Sequence, residues 1–226
     1  MTTSVVLEDQ VEIPFVASLA DFRAWALSDE FPEHGRIDYL DGRIEVDMSP
    51  EDIFTHSTLK TEISRVLATI AKEFGLGFVV GDRARVSSPK AALSVEPDVV
   101  FVSYESIEKQ HVRLVPKASQ EAGRYVEMEG APDLVVEIVS DSSTTKDTRR
   151  LPAAYHRAGV RELWLIDARR EQLFFQIHHH GPVGFDPVPA DAEGFQTSLA
   201  FGRGFRVLRH RDRQGYWTYD LEAKTP

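Results

Sequence analysis

Ala131-Pro132-Asp133-Leu134-Val135-Val136-Glu137-Ile138-Val139-Ser140 decides how this chain is read. Pro-Asp opens a run in which every residue from 134 to 139 is apolar except Glu137. A strand apolar on alternate and intervening positions alike is covered on both faces. Side chains alternate along a strand, so Asp133 and Glu137 point to the same side. A carboxylate inside such a strand is costly unless it is paired or bound to a metal. Two readings of Glu137 follow: a buried ion pair, with Arg149 or Arg150 as the partner, or a metal ligand. Asp133, at the strand entrance, reads as a structural residue.

Two further apolar runs flank this one, Asp98–Val102 and Glu162–Ile166. Glu96-Pro97-Asp98 opens the first much as Ala131-Pro132-Asp133 opens the central one. Asp98 reads either as a strand-end turn residue or as a second metal-facing carboxylate. Between the last two runs, Asp147–Ala158 has a helical pattern ended by Gly159, which makes a strand–helix–strand unit. Upstream, Leu59, Ile63, Val66, Leu67, Ile70 and Phe74 recur at helical spacing and predict a helix over about 55–74. Arg36–Met48 alternates around Asp41-Gly42 and predicts a hairpin. Ser18-Leu19-Ala20-Asp21 resembles a capping box and predicts a short helix to about Ser28.

The remaining segments are less regular. Residues 1–14 read as an arm. Short strands are expected around Phe78–Val80 and Ala84–Val86, with a loop over Ser88–Val95. Glu105–Gly130 reads as a polar insertion with a strand at Tyr125–Met128. Gln172–His178 reads as an edge strand, and Phe195–Tyr219 as short strands. His178-His179-His180 sits by this reading in a loop between strands, where metal binding is the minor alternative. The expected fold class is α/β: a central mixed sheet flanked by helices, with an N-terminal helix and hairpin. A single domain over 1–226 is expected, its core at about 18–178 and a C-terminal extension at 179–226.

Composition narrows the function. The 226 residues contain no cysteine, so disulfides, zinc-thiolate sites and thiol nucleophiles are excluded. No apolar run approaches the roughly 20 residues of a membrane span, and the N-terminus has no secretory pattern. A cytoplasmic protein is expected. The net charge of −10 argues against a broad nucleic-acid-coating surface. It leaves a nuclease open, since a carboxylate metal site is itself acidic. Residues 146–170 carry seven Lys/Arg against three acids, and Arg203, Arg206, Arg209, Arg211 and Arg213 form a second basic cluster. Nucleotide-binding and serine-hydrolase signatures are missing. Two carboxylate oxygens on adjacent strands, completed by waters, suit Mg²⁺ or Mn²⁺. Such an ion can activate water for phosphodiester hydrolysis.

The order P-D-V-V-F-V (97–102), A-P-D-L-V-V-E-I-V-S (131–140) and K-D-x-x-x-L-x-x-x-Y-x-x-A-G-V-x-E-L-W-L-I-D (146–167) resembles the Uma family of the PD-(D/E)XK nuclease superfamily. I-D-Y-L-D-G-R-I-E-V-D-M-S-P (37–50) and His56 extend the resemblance, which spans about 18–178. It implies a restriction-endonuclease-like core, a homodimer and Mg²⁺-dependent DNA cleavage. By position, Asp98 and Glu137 become the metal-binding acids, and Asp38 and His56 join them as catalytic residues. The chain departs from the pattern at the lysine. Val139 stands two residues after Glu137, and Leu151 stands four after Asp147, the two places where that lysine is expected. Lys146, Arg149 and Arg150 are the candidates to replace it, with Lys146 and Arg150 preferred. Arginine can offset charge but stays protonated, so it is a poor base. The alternative is a catalytically weak nucleic-acid-binding or interaction module on the same fold.

Overall fold

The computed structural model describes residues 13–32, 35–117 and 122–225. The expected arm at 1–14 falls almost wholly outside them. In chain order the elements are α1 (Leu19–Ala26), β1 (Arg36–Leu40), β2 (Arg43–Asp47), α2 (Thr58–Glu73), β3 (Gly77–Gly81), β4 (Arg85–Ser88), β5 (Leu93–Val95), β6 (Val99–Ser103), α3 (Tyr104–Glu108), β7 (Val112–Pro116), β8 (Tyr125–Gly130), β9 (Leu134–Ile138), α4 (Leu151–Ala158), β10 (Glu162–Asp167), β11 (Phe174–His180), β12 (Phe185–Pro187), β13 (Gln196–Ser198), β14 (Arg203–Arg211) and β15 (Trp217–Lys224). A π-helical turn, Ile53–Ser57, leads into α2, and another, Lys146–Arg150, leads into α4.

Local chemistry explains the best-defined boundaries. Ser18 caps α1, its hydroxyl accepting from the Asp21 N–H at 3.2 Å and donating to the Asp21 carboxylate at 2.9 Å. Asp41 and Gly42 both take positive φ, the geometry of a type I′ turn between β1 and β2. Gly159 closes α4 at φ +97°, where a side chain would be strained.

The predicted mixed sheet is present, in the order β12-β11-β10-β9-β6-β3, with β9 and β10 parallel. It does not act alone. A second six-stranded sheet, β2-β1-β5-β4-β8-β7, packs on one of its faces, and β13-β14-β15 form a third. Several expectations are corrected here. Ser88–Val95 is not a loop, because β5 forms there and bridges β1 to β4. The insertion holds β7 as well as β8. β11 is not the edge, since β12 pairs outside it, and the three histidines lie within β11. The tail contains strands of nine and eight residues.

Alternation along β6 and β9 sorts the core into layers. Val99, Phe101, Leu134, Val136 and Ile138 pack with Leu59, Ile63 and Leu67 of α2, and with Phe205, Tyr219 and Leu221 of the C-terminal strands. On the opposite face, Val135 packs with Leu151, Ala154 and Tyr155 of α4 and with Leu40 and Leu93, while Val100 and Val102 meet Val86 and Met128. Asp98 and Glu137 share this second face by strand period. So do Arg36 and Asp38 with Leu40 on β1. The fold therefore aims four ionisable side chains at one gap between the two large sheets.

Candidate active site

Asp98 and Glu137 face each other across an antiparallel pair whose register runs Val99 to Val136 and Val100 to Val135. Asp98 is 4% exposed and Glu137 1% exposed. The cation nearest both is Arg36, which no sequence pattern singled out. Its guanidinium lies 3.7 Å from Asp98 Oδ1, 3.5 Å from Glu137 Oε2 and 3.3 Å from Asp38 Oδ2. Arg149 and Arg150, the partners expected for Glu137, are elsewhere; Arg150 pairs with Glu45 of β2.

Each acid has further support. Asp98 Oδ2 accepts the Ile138 N–H at 2.7 Å and lies 3.5 Å from His56 Nε2. Tyr155 donates its hydroxyl to Glu137 Oε1 at 2.5 Å. Asp38, fully buried, accepts the Glu96 N–H at 3.0 Å and Lys146 Nζ at 3.0 Å. Asp133 accepts from Ser103 N–H and Ser106 Oγ, as a strand-entrance residue should.

His56 sits on the π-helical turn that Asp52 caps, its side chain accepting from the Phe54 and Thr55 N–H groups. Its Nε2 is 3.1 Å from the Ile138 carbonyl and its Nδ1 is 3.3 Å from Glu51 Oε2. Lys60 of α2 holds both Glu51 oxygens, at 2.7 and 2.8 Å.

These neighbours set the protonation states. Burial pulls His56 down, but the Asp98 and Glu51 carboxylates close to its two ring nitrogens outweigh it and carry the imidazole up to about 10. Burial raises Asp98, yet His56, Arg36 and the Ile138 N–H bring its carboxyl below the ordinary range. Glu137 goes the other way. Burial, against the pull of Arg36 and with repulsion from Asp98 and Asp147, pushes it up to about 8. Asp147 is also raised by burial. Two acids whose environments push them apart are a frequent mark of a functional site.

A cleft of about 570 Å³ opens over this cluster. Arg36, Glu51, His56, Asp98, Val139 and Arg169 line it. Its other ionisable residues are Asp47, Asp52, Asp82, Arg83, Glu96 and Asp141, so acids dominate the wall. Among the sequence-expected residues, Asp98 and His56 reach the cleft. Glu137 and Asp38 lie behind it, bound to Arg36. Lys146 is spent on Asp38, and Arg150 is held on the β1–β2 hairpin. Of the two places where the lysine was expected, Val139 lines the cleft and Leu151 is core. The basic stretch 146–170 is largely paired: Arg157 with Asp41, Arg161 with Asp133, and Arg169 with Asp141 and Asp167.

For a divalent cation, Asp98 is a fitting ligand: a buried carboxylate at the cleft floor. Glu137 Oε2 lacks a hydrogen-bond partner and faces the same gap, but Arg36 occupies the space between the two acids. Glu51, His56 and Asp98 offer ligand atoms within 4.8 Å of one another. Glu51 was missed in the sequence because an exposed acid in a polar loop carries no signature.

No helix among the described residues is long and apolar enough to cross a membrane. No curated protein matches the chain. A crystal structure described as a putative nuclease belonging to DUF820, from Anabaena variabilis ATCC 29413, superposes with a TM-score of 0.59 at 16% identity, covering 81% of this chain and 90% of that one. That likeness supports the restriction-endonuclease-like α/β fold. A family model described as "Uma2: Putative restriction endonuclease" matches residues 19–206. The chain therefore belongs to the Uma2 family of restriction-endonuclease-like proteins.

Proposed function

We propose that this protein is a metal-dependent endonuclease that hydrolyses DNA phosphodiester bonds. The observation that carries the reading is the buried Asp98 carboxylate at the floor of an open cleft, with His56 and Arg36 converging on it. Mg²⁺ or Mn²⁺ is the expected ion, with Asp98 as ligand and Glu137 as its partner by family position. A bound dication would supply an acidic water and offset charge on the phosphate. Arg36 would add fixed positive charge against the phosphate oxygens, a role that suits a guanidinium. His56 would hold a proton at Nε2, beside Asp98, while Asp38 and Lys146 keep Arg36 in position. A homodimer, on the strength of the resemblance, and a cytoplasmic location, on the strength of the composition, complete the proposal.

The test is cleavage of supercoiled plasmid by purified protein with Mg²⁺ or Mn²⁺. Activity should vanish in Asp98→Asn and in Glu137→Ala. Undiminished cleavage by both variants would sink the assignment, as would inert wild-type protein with either ion.

A second reading is favoured by one observation: Arg36 already neutralises the space between Asp98 and Glu137. On that reading the chain is a nucleic-acid-binding or interaction module that has lost catalysis. Calorimetry with Mg²⁺ and Mn²⁺ separates the two, since the module needs no ion.

A further inference from the structure

We propose that the ion is held on the Glu51 side of Asp98, by the His56 imidazole, a Glu51 carboxylate oxygen and an Asp98 carboxylate oxygen, whose ligand atoms lie within 4.8 Å of one another, and that it is a transition-metal dication of the Mn²⁺ or Co²⁺ class. This rests on the metal-dependent reading above and moves the ion away from Glu137.

The geometry of the donors supports it. Two ligands each about 2.1 Å from one ion lie about 3.0–3.4 Å apart in octahedral or tetrahedral arrangement. His56 Nδ1 and Glu51 Oε2 are 3.3 Å apart. His56 is 6% exposed, and its Nδ1 has no hydrogen-bond partner. The other ring nitrogen, Nε2, lies against the Ile138 carbonyl at 3.1 Å. Metal-binding histidines share this orientation, one nitrogen held by a carbonyl and the other turned to the ion, which here would displace the proton that Nδ1 carries in the metal-free protein. The carboxylates are anchored too. Ile138 N–H fixes Asp98 Oδ2, and Lys60 fixes Glu51.

On the far side of Asp98 the space is taken. Arg36 stands between Asp98 and Glu137, and Tyr155 holds Glu137 from behind. An ion there would have to displace a guanidinium that three carboxylates hold. An ion beside Glu51 would share that carboxylate with Lys60, which holds both of its oxygens. The nitrogen in the donor set sets the preference, because imidazole suits transition metals better than Mg²⁺.

Mn²⁺ titration of the full chain, read by electron paramagnetic resonance, tests this without any turnover. One Mn²⁺ per chain should bind, and pulsed spectra should show coupling to an imidazole ¹⁴N. Glu51→Gln and His56→Gln should each weaken binding by about tenfold or more, and by more than Glu137→Gln does. Circular dichroism checks folding. Should His56→Gln not fold, the wild-type nitrogen coupling and the exposed-site variant Glu51→Gln decide alone. Binding without nitrogen coupling, or binding lost in Glu137→Gln and retained in Glu51→Gln, overturns the proposal and leaves the nuclease reading intact. No Mn²⁺ bound at millimolar concentration overturns both.

Discussion

Replacing Arg36 by Met keeps much of the side-chain volume and removes the one charge shared by Asp38, Asp98 and Glu137. Lys146 still serves Asp38 and His56 still serves Asp98. Glu137 loses the one cation paired with it among the described residues and keeps the Tyr155 hydroxyl. Removing one partner of a buried ion pair costs about 3–5 kcal/mol, because the remaining charge stays desolvated. Glu137, raised to about 8, is already largely protonated at pH 7.5, so the cost falls mainly on Asp38 and Asp98 and the expected loss lies at the low end, about 3 kcal/mol. A domain of this size loses about 2–4 °C of Tm per kcal/mol. The expected fall is therefore about 6–12 °C at pH 7.5 in EDTA, read by circular dichroism. It should grow as pH rises past about 8, where Glu137 ionises beside Arg36 in the wild type. Arg36→Lys should recover part of the loss. A Tm within about 2 °C of wild type at pH 7.5, given that same scale, would refute the claim that Arg36 holds the cluster together.

Three further predictions follow from the same geometry. Tyr155→Phe leaves Glu137 Oε1 without its donor and should cost about 1.5–3 kcal/mol in urea unfolding; a loss too small to measure would mean that the hydroxyl is not bonded there. Stability of the metal-free protein should fall as pH rises from about 4.5, the ordinary glutamate value, toward 10. The sign follows from Glu137, raised to about 8, and His56, raised to about 10, which make the folded state bind more protons than the unfolded one. His56→Gln should flatten the upper part of that slope, and a stability that climbs from pH 6.5 to 9 would contradict it. Phe205→Ala, at a fully buried position against Trp164 and Phe201, should cost about 3–5 kcal/mol. It tests whether the C-terminal strands are part of the core, and a variant with wild-type unfolding would say that they are not.

Local pattern alone reached the elements whose signals are contained within a few residues. The β9–α4–β10 unit, the β1–β2 hairpin with its Asp41-Gly42 turn, the Ser18 cap and the apolar stripe of α2 depend on alternation, helical spacing and turn chemistry, all short-range properties. The anomaly of a carboxylate in an apolar strand was equally visible, and it correctly marked Glu137 as a residue needing a partner. The identity of that partner was not visible. Arg36 comes from 101 positions away in the chain and reaches Glu137 because two sheets stack face to face. Nothing in the neighbourhood of Arg36 distinguishes it from a surface arginine at the start of a hairpin. β5 and β7 were missed for a related reason: three- and five-residue strands owe their pairing to neighbours brought together by the fold. The same long-range assembly decides which acids meet the cleft. Asp98 and His56 open onto it, Glu51 joins them from an unremarkable loop, and Asp38, Glu137 and Lys146 are left behind as supports. Electrostatic partnership depends on distance in space, and in this chain the decisive distances cross between strands that are far apart in sequence.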